Sequence, residues 1–285
     1  MTPRESPSPR TPSARSLLVL DDTAFHPLPF PAAGYRATRV LGWDALHAAV
    51  RRAPPSTAIL VAPFSASSGA PDPRLRELLS AAPLLPVLVA VDLAASDPVD
   101  VRVLLEWGVS EVVDVRLEGG PEALVPRFRA AHARPFKRRL EAGLSRYLSP
   151  NAMTLLRAAA GVACDCGLSA ELAAVFGVNE RTLGKWCAVE GLPPPRRLLA
   201  WVRVLLGVAL LEEGTRSWNN AARSTGYVDA SGLRRAVAGF LSHPRAGADE
   251  RRPSFQTAIA AFDGELHQRR ERRRGTHGLR RPRAR

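Results

Sequence analysis

Residues 196–211, RRLLAWVRVLLGVALL, restrict this chain more than any other stretch, because after the opening arginines the run is apolar on nearly every helical side except at Arg203. A helix without a polar face has to be covered all round, by lipid or by other protein. Its apolar part is about 14 residues long, short of the ~20 that a bilayer span requires. A buried central helix is therefore expected, and the chain must supply the neighbours that cover it.

Such neighbours are legible on both sides. In residues 169–190, SAELAAVFGVNERTLGKWCAVE, Leu172, Ala173 and Phe176 share one helical face, and Leu183, Trp186 and Cys187 share the next. Neither short helix carries enough apolar surface to fold alone, so the two must pack on each other. Ala173 permits close approach, Gly177 supplies the permissive backbone of a turn, and Asn179 reads as the cap of the second helix. Residues 218–240, WNNAARSTGYVDASGLRRAVAGF, repeat the plan, with Ala222, Gly226, Leu233 and Val237 in the matching roles. In the first unit Glu180, Arg181, Gly184 and Lys185 are left facing outward, and a braced helix with a basic outer face suits a DNA major groove. The expected core of this half includes Leu155, Leu156, Leu172, Phe176, Leu183, Trp186, Leu198, Val202, Leu205, Leu206, Leu210 and Leu233.

Two helix-turn-helix units joined by one long helix resemble the DNA-binding domain of the AraC/XylS family of transcription regulators, over residues 150–244, a third of the chain. The resemblance is carried by ELAAVFGVNERTLGKW, GLPPPRRLLAWVRV, ALLEEG and AARSTGY, the last followed by a turn one residue longer than in the first unit. The loop at residues 191–203 is one residue longer than the family's, the closing Phe-Gly-x-x-Pro is reduced to FLSHP, and Gly184 stands where members offer a longer polar side chain. The resemblance implies an all-α double helix-turn-helix fold. It also places contacts on the first two turns of each recognition helix: Arg181, Gly184 and Lys185 in one, Ser231, Arg234 and Arg235 in the other. Because Gly184 offers no side chain, the DNA-binding set is Arg181, Lys185, Ser231, Arg234 and Arg235, and the first unit is expected to lean on phosphates more than bases.

The front half has a different texture. Short apolar runs at residues 16–22, 35–41, 57–63, 86–92 and 111–115 read as strands, with helical patterns at 43–52, 72–82 and 97–108. Continuous Val/Leu/Ile runs must be shielded above and below, which implies a parallel five-stranded sheet covered on both faces. The order and spacing resemble the receiver domain of two-component response regulators, a flavodoxin-like α/β fold, mainly on Asp21-Asp22 and on LLEWGVSEVVDV. That resemblance puts the phosphoacceptor position near Ala62, the Thr/Ser position near Val91 and the Lys position near Val115. Without a carboxylate to attack a phosphoryl donor or a cation to balance the product, aspartyl-phosphate chemistry is not expected. Asp21, Asp22 and Asp92 could supply oxygens to Mg²⁺, but solvated loop acids are the simpler account.

The resulting domain plan is a disordered leader at 1–15, a degenerate receiver-like domain at 16–120, a basic linker helix at 121–148 interrupted near Pro126 and Pro135, the helical DNA-binding domain at 149–245, and an arginine-rich tail at 246–285. Within the tail, residues 254–270 have Phe255, Ile259, Phe262 and Leu266 at helical spacing, and the rest is expected to be disordered. The net charge of +13 is uneven: residues 16–123 hold 8 basic and 13 acidic side chains, whereas residues 251–285 hold 11 and 3. An acidic front and a basic back confine polyanion binding to the second half. Phe136, Lys137, Arg138 and Arg139 are expected either to touch phosphates or to form a solvated linker face. Cys164, Cys166 and Cys187 are too few for a disulfide framework and lack zinc-finger spacing.

These features lead to a non-enzymatic, cytoplasmic and nucleoid-associated transcription regulator, without cofactor or metal. Its expected partners are double-stranded DNA, a second copy through the front domain, and RNA polymerase, with no membrane. Two alternatives remain open at this level: a ligand-binding or enzymatic α/β domain with a targeting helical module, and a non-specific nucleic-acid-binding protein driven by its basic tail.

Overall fold

The computed structural model describes residues 15–21, 34–54, 57–64, 69–118, 121–144, 148–213, 217–241 and 253–278. In the front half, β1 (Arg15–Asp21), β2 (Tyr35–Leu41), β3 (Ala58–Val61), β4 (Val87–Val91) and β5 (Glu111–Asp114) form one all-parallel sheet in the order β2-β1-β3-β4-β5. Leu17 aligns with Ala58, Ile59 with Val87 and Leu88 with Glu111. Successive side chains enter opposite layers. Ile59 and Val61 pack under α1 (Trp43–Arg52), α2 (Pro73–Ala81) and α3 (Pro98–Trp107), while Ala58 and Leu60 pack with Leu124, Phe128 and Ala131 on the other face. This two-sided burial explains the unbroken apolar strands.

Local chemistry sets the helix ends. Asp72 and Asp97 accept hydrogen bonds from Arg74 N (3.0 Å) and Val99 N (2.8 Å), and each is followed by proline at the start of its helix. Gly108, left-handed at φ 101°, closes α3.

The expected linker helix proves continuous: α4 runs Pro121–Leu144 with Pro126 and Pro135 inside it. An interior proline costs about 3 kcal/mol, but this helix is gripped on both sides. Phe128 is buried in the sheet layer, and Phe136, Leu140 and Leu144 are buried in the helical half. The Phe136 to Arg139 cluster accordingly joins the two halves, with Phe136 inside and Arg138 at the surface. Phe136 is buried, Arg138 Nη1 donates to Gly108 O (3.0 Å), and Arg139 pairs with Glu212 while lying 4.5 Å from the Phe255 ring centre.

The back half comprises α5 (Pro150–Cys164), α6 (Ser169–Val175), α7 (Glu180–Val189), α8 (Pro195–Glu212), α9 (Trp218–Ser224), α10 (Ala230–Leu241) and α11 (Phe255–Gly278). The apolar run is α8, with Leu198, Val202, Leu205 and Leu210 buried as its pattern required. Trp201 is buried against Phe240 and Phe262. Its lone interior charge, Arg203, donates through Nη2 to Gly167 O (2.7 Å) and Cys166 O (3.3 Å), so it satisfies carbonyls just beyond the end of α5.

The tail expectation is corrected in part. Residues 255–278 are one helix, longer than the 254–270 segment, and Phe255, Ala258, Ile259, Phe262 and Leu266 are buried in the core of the back half. Glu265 fastens it, accepting from Arg197 (2.7 Å), Trp201 Nε1 (2.6 Å) and Arg269 (2.9 Å). Burial pushes that carboxyl up, but the three donors together outweigh it and hold it down at about 2. The leader before Arg15 and the arginines after Gly278 lie outside the described residues.

Candidate nucleic-acid interface

Both repeated units are built as their sequences required. In the first, Gly177 turns at φ 64°, Val178 N donates to Ala173 O (3.2 Å), and Asn179 Oδ1 accepts from Thr182 N (2.8 Å). Ala173, Leu183 and Cys187 are buried. Glu180, on the first turn of α7, accepts from the Ser169 hydroxyl (2.8 Å) and lies 3.8 Å from Arg196, which ties the unit to α6 and α8.

In the second unit Gly226 turns at φ 79°, Tyr227 N donates to Ala222 O (2.9 Å), and the buried Thr225 hydroxyl donates to Ala221 O (2.8 Å). Asp229 Oδ1 caps α10 by accepting from Gly232 N (2.8 Å). The Gly232 N–H first, and the Ser231 hydroxyl second, hold the Asp229 carboxyl below its ordinary range. Leu233 reaches α8 closely: a Cβ added at Gly207 would lie 2.9 Å from Leu233 Cδ1.

All five residues carried over from the resemblance, Arg181, Lys185, Ser231, Arg234 and Arg235, are exposed. Their surroundings differ. Arg181 and Lys185 make no ion pair among the described residues, so no carboxylate there offsets their charge. Arg234 lies over the Trp218 ring, 5.2 Å from its centre, which orients its guanidinium. The Ser231 hydroxyl donates to Asp229 (2.7 Å) and so belongs to the cap rather than to the free surface. Arg235 Nε reaches back to Ser231 O at 3.4 Å. Gly184 is not demanded by packing, since an added Cβ would meet only Pro195 Cδ at 3.9 Å. The Arg234–Trp218 contact was not legible beforehand, because it joins two helices whose relative placement no local pattern encodes.

Two core expectations are corrected. Trp186 is 40% exposed and Phe176 is only partly buried; the rings meet edge to face at 6.0 Å on the flank of α7. Leu183 and Cys187 already fill the narrow inner face of a ten-residue helix, leaving Trp186 at its margin.

The remaining candidates are quiet. Burial pushes the Cys164 thiol up to about 12 and that of Cys187 up to about 11, and it raises Cys166 as well, which disfavours thiolate chemistry at neutral pH. At the strand ends Asp92 accepts from Ala94 N (3.1 Å) and pairs with Arg116 (3.2 Å), while Asp114 accepts from Arg116 N (2.9 Å). The Asp21 side chain and all of Asp22 lie outside the described residues. Among the described residues no group of three or more His, Cys, Asp or Glu could hold a metal ion, and no helix is long and apolar enough to cross a membrane.

Compared with known proteins, the chain matches no family model, no curated protein and no solved structure.

Proposed function

We propose that this chain is a sequence-selective, duplex-DNA-binding transcription regulator of the AraC/XylS kind. The observation that carries the reading is a duplicated frame. Two capped helices, α7 and α10, each follow a left-handed glycine turn, each pack on the buried α8, and each turn basic side chains outward. A helix braced from behind with its polar face free is the geometry that enters a major groove. The front half is read as a flavodoxin-like, receiver-like module, a reading supported by the strand order β2-β1-β3-β4-β5. Ala62, Val91 and Val115 stand where a working receiver carries its phosphoryl-transfer side chains, so we read its task as pairing with a second copy or binding a protein partner or ligand.

Selection of bound duplexes from a random pool tests this directly. A recurrent motif read by two adjacent segments is the expected result. Salt-sensitive binding without any enriched motif would transfer the case to a non-specific nucleic-acid binder. The two readings also separate on trimming residues 279–285, which removes four arginines without touching the packed part of α11. Selective binding should survive that truncation.

A further inference from the structure

The flank of α7 does not close into the core. Trp186 and Phe176, with Val189 (60% exposed) and Leu155 of α5, wall a cleft of about 310 Å³. That volume falls within the ~300–1,000 Å³ of small-molecule sites, which join apolar walls to a few placed polar groups. The placed group here is Glu190 at the end of α7, whose carboxylate accepts from the Ser149 hydroxyl and from Asn151 Nδ2 (3.3 Å). The start of α5 attracts this carboxylate, but a helix end supplies only about half an elementary charge. No Lys, Arg or His lines the cleft, and Glu190 has no cationic partner among the described residues, in a chain with 40 Lys and Arg against 27 Asp and Glu.

We propose that this cleft binds a small organic cation with an aromatic or branched aliphatic body. The body lies against Trp186 and Phe176, and the positive centre faces Glu190. Aromatic faces attract cations electrostatically, and the oriented carboxylate supplies the missing counter-charge. An anion would meet Glu190 unfavourably, and a neutral body would gain only apolar burial. At about 100° per residue, Trp186 and Glu190 fall between the buried Leu183 and Cys187 side of α7 and its Arg181 and Lys185 face. Those two exposed cations oppose the ligand, weakly at physiological salt where the screening length is about 8 Å. The site is independent of the DNA reading, because occupancy is measured on the free protein.

The test is calorimetric titration of the full chain, without DNA and at physiological salt, with benzyltrimethylammonium, benzyl alcohol and benzoate. Saturable binding of the cation alone is expected. Glu190→Gln, which keeps the hydrogen-bonding shape and removes the charge, should weaken it about ten-fold, or ~1.4 kcal/mol. Trp186→Ala should abolish it and Trp186→Phe should retain part of it; far-ultraviolet circular dichroism verifies that each variant is folded. The proposal is overturned if the cation does not saturate, if benzyl alcohol binds as tightly, or if Glu190→Gln leaves the affinity unchanged.

Discussion

The two helix–turn–helix units share a frame and differ at the surface. Ala173 and Ala222 at the close approach, Gly177 and Gly226 at the turn, and Leu183 and Leu233 at the inner face correspond one to one. Outside that frame, Gly184 stands where the second unit has Arg234 oriented on Trp218, and Lys185 where it has Arg235. Packing dictates the first set and leaves the second free. The frame therefore fixes the fold twice, while the proposed reading of bases is concentrated in the second unit and the first offers point charges.

The largest effects should fall on the shared frame. Leu233→Ala and Leu183→Ala, both fully buried, should each cost about 2–5 kcal/mol in chemical denaturation. Markedly unequal costs would break the equivalence of the two units. Next come the surfaces. Arg235→Ala should lose about 1–3 kcal/mol on a selected duplex and relax preference at its base pair. Arg181→Ala should weaken all duplexes about equally, and fluorescence anisotropy across a panel of sequences separates the two behaviours.

Smaller effects sharpen the contrast further. Both turn glycines have positive φ, so alanine at either should cost about 1 kcal/mol. The cost should be larger at Gly226, where the added Cβ meets Cys166 Cβ at 3.3 Å, than at Gly177, where it meets nothing; thermal melting measures both. The caps differ in pH response. Asp229 has its folded pKa depressed, so its contribution is present above the ordinary aspartate range and is lost as pH falls through the folded value. Asn179 cannot titrate. Amide exchange at the start of α10 should therefore quicken in acid relative to the start of α7. Asn179→Ala should cost about 1 kcal/mol at any pH.

Much of this frame could be read from residue order alone, for a physical reason. β2 and α1 fall on the residues their patterns marked, because alternation and helical spacing are local. Asn179 caps as expected, since a cap needs only a backbone N–H two or three residues on, and Asp72 and Asp97 cap by the same local rule. What escaped is non-local. Pro135 looks like a break until Phe128 and Phe136 are seen gripped by two different cores. Trp186 looks like core because periodicity gives the direction of a buried face and not its width. The arginine run in α11 looks like a tail, although Arg and Glu favour helix and Glu265–Arg269 pairs one turn apart at 2.9 Å. The proposed cleft was hidden for the same reason as Trp186, whose exposure opens it.

The uninterrupted α4 has a mechanical consequence. Its first half is set among the strands and its second among the helices, so it works as an axle keyed at both ends. Torque applied to the front sheet would be delivered along this continuous helix to the bundle that carries α7 and α10. For the same reason heat should melt the whole chain in one transition and not as two separate halves.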